Sequence, residues 1–318
     1  MYNLMDYGRM MRDEVRVNAH YQALKQVVRP GDVVIDIGAG TGIFALMACQ
    51  LGASRVYAIE PTAWVNLGRQ MAATSGFADR IVFIRDYSGQ LILPEPGDVV
   101  IGDLRGATPI VTPHILSLVD AHRRFLKPEG IMIPRRDVVY AALVSAPETY
   151  SSRVRRPWLE NSYGVNMEAG FKYMVNTPDN LEAAQISDLK LLFPGQVWAE
   201  IDYRRLETTS FATSLDWVAD EAATAHAIFC WFNAELADGI GYTTAPWETP
   251  YAPVYGNLWL FLQTPLDIEP EDRVSVVLQA MTIPDGYLYV WNTTLRSKTD
   301  EIKSELRQTS FMGQPIFS

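Results

Sequence analysis

Apolar residues in the first third of the chain alternate between two spacings. Val17, Tyr21 and Leu24 recur at helical spacing, which predicts an amphipathic helix from about residue 10 to residue 28, ended by Pro30-Gly31. Short apolar runs then alternate with further helical patterns. Strands are predicted at 33–37, 56–59, 81–85, 99–101 and 130–133, and helices at 43–51, 64–75 and 113–126. Such alternation is typical of a parallel, doubly wound α/β sheet.

The pattern changes after Pro134-Arg135-Arg136, where β-rich segments with hardly any helical periodicity take over. Residues 176–184 form a break followed by a short helical patch, an excursion from this β-rich region. We therefore predict an α/β, doubly wound, Rossmann-like domain at 1–134 and a β domain at 135–318. The candidate strands of the second domain are 138–144, 196–203, 226–235, 258–263, 274–280, 287–294 and 301–308.

Composition narrows the class of protein. The chain has 318 residues, 48% of them hydrophobic, and neither an apolar run long enough to span a bilayer nor a secretory leader, so we expect a soluble, cytoplasmic protein. Cys49 and Cys230 lie far apart and predict neither a disulfide nor a metal site. A net charge of −10 argues against a nucleic-acid partner and favours a neutral or cationic molecule as the binding partner.

The turn after the first strand carries glycines at alternate positions, Gly38, Gly40 and Gly42, preceded by Asp36 at the strand end. Its spacing is G-x-G-x-G, unlike the G-x-G-x-x-G of dinucleotide-binding turns. A carboxylate beside the turn suits a sulfonium amino acid better than a pyrophosphate, and Glu60, at the end of the second strand, can accept both ribose hydroxyls. We therefore predict S-adenosylmethionine as the cofactor; a nicotinamide dinucleotide turn and a purely structural loop are the alternatives.

These residues resemble the protein arginine methyltransferase family, and the likeness covers nearly the whole chain. It rests on the stretches 10–16, 34–60, 156–164, 231–235 and 242–251. The resemblance implies a class I methyltransferase domain, a β-barrel domain, a dimerisation arm at about 165–191 and a homodimer formed through that arm. It also implies that Arg16 reaches the methionyl carboxylate of the cofactor; a solvated surface arginine is the alternative.

The acceptor loop departs from the family, which holds its acceptor guanidinium between two glutamates. The first glutamate falls on Asp103 and the second on Thr112, so one carboxylate is shortened and the other is lost. Arg105 adds a cation. It either receives an anionic group of the acceptor or forms an ion pair with Asp103.

Two further family positions have changed. The barrel histidine is absent from 251–257, where Pro253 stands in its place, and the acidic residue near the adenine is replaced by Gly89. Asp86 and Ser88 are the possible substitutes, and Ser88 is the one we assign to the cofactor.

Two catalytic candidates remain. Asp103 follows the fourth strand, where open α/β sheets bind ligands, and either binds the acceptor or forms a salt bridge. His114 is either a general base, because the pKa of a free histidine lies near neutrality, or a structural residue. We hypothesise a methyltransferase of arginine-methyltransferase type that acts on a peptide arginine or a small-molecule acceptor. The competing hypothesis is a non-catalytic, dimeric scaffold that binds S-adenosylmethionine.

Overall fold

A computed structural model describes residues 2–111, 114–160, 163–182, 186–284 and 286–311. The chain divides into two compact units. The first contains Met1–Asp137, Ile201–Glu207 and Asn233–Val254, and the second contains Val138–Glu200, Thr208–Phe232 and Tyr255–Ser318. The predicted domains 1–134 and 135–318 are continuous pieces, whereas these units interleave along the chain.

The first unit is built on a five-stranded parallel sheet with the strand order β3-β2-β1-β4-β5. Its strands read as apolar runs because both faces are buried; all five residues of β1, for example, are buried. The predicted fold class, a doubly wound parallel sheet followed by a β domain, is confirmed. The elements are β1 Val33–Ile37, α3 Ile43–Gln50, β2 Arg55–Ile59, α4 Val65–Thr74, β3 Ile81–Ile84, β4 Gly97–Gly102, α5 His114–Phe125 and β5 Leu126–Ile133.

The N-terminal segment is two helices, α1 Leu4–Arg12 and α2 Glu14–Val27. The helix predicted from about residue 10 to residue 28 corresponds to α2 but begins later, at Glu14, and α1 was not predicted. Asp13 separates them because its Oδ1 accepts the backbone N–H of Arg16 at 3.0 Å, which begins a new helix. The first helix begins with a capping box between Asn3 and Asp6.

Strand register brings three strand ends together. Ile37 at the end of β1 pairs with Ile59 at the end of β2 and with Gly102 at the end of β4. Because parallel strands end at the same edge, the residues that follow β1, β2 and β4 emerge side by side. The backbone N–H groups of Gly38 and Ala39 both donate to Ile59 O, which holds the turn after β1 against β2.

The second unit is built on antiparallel strands, with a four-stranded sheet β10-β14-β15-β16 and a second sheet in which β13 pairs with β7 and β11. Trp259 and Trp291 lie fully buried in its core. The remaining strands of the chain are β6 Arg136–Ser145, β7 Asp179–Leu181, β8 Lys190–Leu191, β9 Gln196–Asp202, β10 Phe211–Val218, β11 Ala223–Ala237, β12 Ile240–Thr243, β13 Asn257–Ile268, β14 Arg273–Ile283, β15 Gly286–Arg296 and β16 Ile302–Thr309.

Two helical segments interrupt the second unit. A continuous helical run covers α6 Pro147–Thr149, a π-helical stretch Tyr150–Arg155 and α7 Arg156–Leu159, and α8 covers Glu168–Met174. The expectation of almost no helix here is therefore wrong, because this run buries few side chains and leaves little apolar periodicity to read.

The helical patch predicted within 176–184 is also wrong where the structure describes it. Residues Asp179–Leu181 form β7 and pair with β13. The rest of that prediction, at residues 183 and 184, lies outside the described residues.

Within the described ranges, no helix combines the length and the apolar character that crossing a membrane requires.

Candidate functional site

The turn after β1 depends on its glycines for two separate reasons. Gly38, Gly40 and Gly42 have φ values of +69°, +54° and +82°, a region that side chains with a Cβ rarely adopt. A Cβ on Gly38 would also overlap the Leu104 side chain, and one on Gly40 would overlap the ring of Tyr7. The predicted glycine triplet therefore forms a bare backbone surface that other side chains contact closely.

Glu60 holds this turn through its carboxylate. Its Oε2 accepts the Gly40 N–H at 3.1 Å, and its Oε1 accepts the Thr62 N–H at 3.0 Å. The residue is buried. Each carboxylate oxygen has a further lone pair beyond the one used here, so Glu60 retains capacity to accept hydroxyl groups.

Asp36 is buried within β1 beside the turn. Its Oδ2 accepts the Ala45 N–H at 3.2 Å, while its Oδ1 is buried without a hydrogen-bond partner among the described residues. Burial raises the pKa of Asp36 to about 7, and the nearby charges of Glu60 and Asp103 add to this effect. Three carboxylates thus converge where β1, β2 and β4 end.

Asp103 directly follows β4, and guanidinium groups bind both of its carboxylate oxygens. Arg16 on α2 donates from Nε to Oδ2 at 2.7 Å and places Nη2 at 2.6 Å from the same atom. Arg105 donates from Nη1 to Oδ1 at 2.9 Å. The ion pair of Asp103 with Arg105, one of the two alternatives for each residue, is therefore present. A solvated surface position for Arg16 is wrong, because its side chain is 7% exposed.

Arg105 is held from a second side by Asp137, within β6. Its Nε and Nη2 donate to Oδ2 and Oδ1 of Asp137, both at 2.9 Å, and its Nη1 also lies 3.3 Å from the hydroxyl of Tyr242. Burial alone would lower the pKa of Arg105, but Asp137, Tyr242 and Asp103 outweigh it and raise that pKa well above its usual value. Arg105 therefore remains charged, and its guanidinium group binds Asp103 and Asp137. These contacts do not favour the alternative in which Arg105 binds an anionic group of the acceptor.

His114 lies at the start of α5 and takes part in a directional chain of hydrogen bonds. Its Nδ1 accepts the Leu104 N–H at 3.3 Å, and its Nε2 lies 2.8 Å from the hydroxyl of Tyr203. Tyr203 donates its single proton to Asp137 at 2.5 Å, so Nε2 of His114 must carry the proton that links the two rings. Burial and the charge of Arg105 hold the pKa of His114 well below its usual value. The role of His114 as a base stays a prediction, and these contacts favour its structural alternative.

His20 on α2 was missed by the sequence analysis, although it is fully buried beside Asp103. Its Nδ1 lies 2.9 Å from the carbonyl oxygen of Arg16, so the proton sits on Nδ1. Its Nε2 has no hydrogen-bond partner among the residues described and lies 3.8 Å from Oδ2 of Asp103. Burial lowers the pKa of His20 to about 3, which leaves the ring neutral. The only signal in the sequence was its position four residues after Arg16, one helical turn further along the same face.

The remaining predicted residues lie at the edges of this cluster or outside it. Ser88 begins a short 3-10 helix, Ser88–Gln90, where its carbonyl oxygen accepts from Arg124 at 2.8 Å. Its assignment to the cofactor stays a prediction. Pro253 precedes Val254, whose backbone N–H donates to Asp13 at 3.1 Å. Thr112 lies outside the described residues.

No group of three or more metal-ligating side chains converges anywhere in the part of the chain that the structure describes.

Comparison with known proteins finds likenesses to methyltransferases. The family model for ribosomal protein L11 methyltransferase (PrmA) matches residues 19–136. Among curated proteins, the chain is 26% identical over 234 residues to Probable protein arginine N-methyltransferase 6 of Arabidopsis thaliana, covering 72% of this chain and 53% of that relative. The chain spans about half the length of the curated relatives it matches.

Solved structures share the fold along almost the whole chain. Protein arginine methyltransferase 10 of Arabidopsis thaliana, described in a uniquely open conformation, matches with a TM-score of 0.80 at 20% identity, covering 97% of this chain and 98% of that one. The Trypanosoma brucei PRMT1 enzyme-prozyme heterotetrameric complex with AdoHcy matches with a TM-score of 0.80 at 18% identity, covering 95% and 96%. The resemblance to protein arginine methyltransferases that the motifs predicted is thus confirmed.

The hydrogen-bond chain yields a prediction for stability. We expect Tyr203→Phe to destabilise the protein by about 1 to 3 kcal/mol, because it leaves Nε2–H of His114 buried without an acceptor and removes a donor from Asp137. Tyr21→Phe, on a partly exposed face of α2, is the matched control and should change stability by about 0.5 kcal/mol or less. Urea denaturation of the three proteins measures the difference. Equal midpoints for Tyr203→Phe and wild type would contradict the bonding assigned here.

Proposed function

We propose that this chain is an S-adenosylmethionine-dependent methyltransferase of arginine-methyltransferase type whose acceptor side is altered. The observation that carries the proposal is the glycine turn with Asp36 and Glu60, a buried polar surface that has lone pairs to spare at one edge of a parallel sheet. S-adenosylmethionine would supply a methyl group bound to a sulfonium, so that in-line attack of a nucleophile on the methyl carbon breaks the S–CH3 bond and leaves S-adenosylhomocysteine as a neutral thioether. The relatives named as arginine methyltransferases support the same activity.

The residues present fit this cofactor. Oδ1 of Asp36 is buried without a partner among the described residues, and the convergence of Asp36, Glu60 and Asp103 disfavours a third negative charge. A cationic ligand satisfies both features, since it supplies donors and relieves the repulsion. Glu60 retains acceptor capacity for the ribose hydroxyls. Arg16 remains our proposed partner for the methionyl carboxylate, in addition to its ion pair with Asp103.

A second candidate function is a scaffold that binds S-adenosylmethionine without turnover. The observation that favours it is the state of Asp103, whose two oxygens are bound by Arg16 and Arg105. In that state Oδ2 already accepts two N–H groups of Arg16, so Asp103 cannot offer both of its oxygens to a guanidinium acceptor. We place the methyltransferase first because this scaffold would need the same donor site, and a loop change that alters the acceptor does not remove transfer itself.

We also propose that the chain forms a homodimer through the arm. The start of the arm and α7, the short helix before it, carry exposed apolar side chains, with Val165 60% exposed and Leu159 39% exposed. Both line a cleft of about 420 Å³ together with Trp158, Met167 and Phe171. Contiguous exposed apolar surface of this kind is typical of protein interfaces. A cytoplasmic location stays a prediction.

The donor site is tested by calorimetry with S-adenosylhomocysteine. We expect wild type to bind, and Glu60→Gln to bind about 10- to 100-fold more weakly because hydrogen bonds to a charged acceptor are lost. Glu129→Gln, an exposed carboxamide substitution on β5, should bind as wild type does. The absence of heat from wild type would refute donor binding. Incubation with labelled S-adenosylmethionine and a panel of arginine peptides and small metabolites then separates the two candidates, since only the methyltransferase transfers label.

The pKa of Asp36 predicts that donor affinity depends on pH. Below about pH 7 the carboxyl is protonated and neutral, and above it the carboxylate attracts the cationic donor. Affinity for S-adenosylmethionine should therefore rise with pH up to about 7, by at most about tenfold per unit for one coupled proton, and level off above. Asp36→Asn should flatten this dependence. Calorimetry from pH 5.5 to pH 8.5 measures it, and an equally steep slope in Asp36→Asn would assign the titration to another group.

Assembly is tested by placing a charge in the arm. Val165→Glu should convert a dimer into a monomer, because burying an unpaired carboxylate in an apolar interface is strongly unfavourable. Ile92→Glu replaces another exposed apolar residue, 96% exposed in the first unit, and should leave the assembly unchanged. Light scattering coupled to size exclusion gives the masses. A dimer that persists in Val165→Glu would show that the arm is not the interface.

A further inference from the structure

The charged cluster around Asp103 leaves no carboxylate oxygen unoccupied on its acceptor side. Asp103 receives Arg16 on Oδ2 and Arg105 on Oδ1. Asp137 receives Arg105 on both oxygens and Tyr203 on Oδ2. A guanidinium from outside would need a carboxylate with open, paired oxygens to form the bidentate arrangement it prefers. Here the chain's own guanidinium groups already fill those places.

The cluster is also balanced in charge. Two arginines, Arg16 and Arg105, face two aspartates, Asp103 and Asp137, at side-chain exposures of 7% or less. His20 and His114 add no charge, because burial lowers the pKa of both rings and leaves them neutral. A cation entering such a neutral, buried cluster loses its hydration without gaining a counter-charge. An uncharged group does not incur that loss.

His20 offers what an uncharged acceptor needs. Its Nε2 is a buried lone pair without a hydrogen-bond partner in the described chain, and it lies 3.8 Å from Oδ2 of Asp103. Stacking on Phe44, with ring centroids 4.5 Å apart, fixes the ring, and the carbonyl of Arg16 fixes its tautomer. A buried hydrogen-bond acceptor without a partner, such as this nitrogen, is rare and is stabilised by an incoming N–H or O–H group.

We propose that the acceptor of this chain is an uncharged group bearing an N–H or O–H, that His20 accepts its hydrogen bond, and that Arg105 excludes guanidinium groups by occupying Asp103. The inference rests on the proposed methyltransferase function and names the acceptor class of that same site. Arg105 and His20 are thus specificity-determining residues. Arg105 repels an incoming guanidinium group and already occupies Asp103. His20 accepts the hydrogen bond of the uncharged N–H or O–H group.

A pair of nearly isosteric peptides tests this proposal. One carries arginine and the other citrulline at the same position, so that they differ in the charge of the side-chain head. Binding of each fluorescent peptide is measured by anisotropy in the presence of S-adenosylhomocysteine, and calorimetry with S-adenosylhomocysteine is run on every variant. If wild type does not bind S-adenosylhomocysteine, the proposed function is contradicted. The ratio of the two peptide affinities instead reports on the class of methyl acceptor.

The decisive variant is Arg105→Leu, which removes one positive charge and the hydrogen bonds that Arg105 makes to Asp103 and Asp137, so that negative charge exceeds positive charge by one in the cluster. Wild type should bind the citrulline peptide at least as tightly as the arginine peptide, and Arg105→Leu should shift that ratio toward arginine by about tenfold or more. Arg105→Lys retains the charge and should keep the ratio of wild type. Thermal melts establish that each variant is folded.

His20→Phe isolates the second residue, because it keeps the stacking on Phe44 and removes the lone pair. It should weaken the citrulline peptide by about fivefold and leave the arginine peptide unchanged. The proposal is overturned if wild type prefers arginine, if Arg105→Leu keeps the wild-type ratio, or if His20→Phe binds the citrulline peptide as wild type does.

Discussion

A carboxylate removed from water must be paired with a cation or become protonated, and the first unit is arranged to pair Asp103. The residue stands immediately after β4, at the carboxyl-terminal ends of the parallel strands, and its side chain is 2% exposed. Its charge is balanced by Arg16 from α2 and by Arg105 from its own loop. Arg105 in turn needs Asp137, because one carboxylate cannot satisfy a fully buried guanidinium with five N–H donors. A single buried charge thus ties together α2, the loop after β4 and the first residues of β6.

The same network sets the position of the loop between β4 and α5. His114 accepts the backbone N–H of Leu104, and Tyr203 connects that histidine to Asp137. With its backbone held in this way, Leu104 places its side chain directly against Gly38. The loop after β4 and the glycine turn after β1 are therefore in contact.

The two sides of the site differ in how their charges are satisfied. On the donor side, Asp36 keeps an oxygen without a partner among the described residues, and its pKa is raised to about 7 by burial and by neighbouring carboxylates. On the acceptor side, the chain's own arginines balance the carboxylates. A protein with the first arrangement is prepared for a cationic ligand, and one with the second is not.

Local sequence determined the sheet and the glycine turn, because both depend on periodicity and on residue types within a few positions. The strand predicted at 33–37 has those bounds in the structure, and Asp36 and Glu60 lie beside the turn. The polar alternation of β10 and the sparsely buried helical run 147–159 gave too little apolar contrast to be recognised.

Tertiary structure alone decided what the charges do. Tyr203 lies 66 residues from Asp137 and 89 residues from His114, so no local pattern predicts either contact. His20 carried no sequence signal beyond its place one turn after Arg16, and its importance comes from the burial that leaves its Nε2 without a partner in the described chain. Periodicity is a property of neighbouring residues, whereas the pairing of a buried charge depends on which distant segments the fold brings within 3 Å.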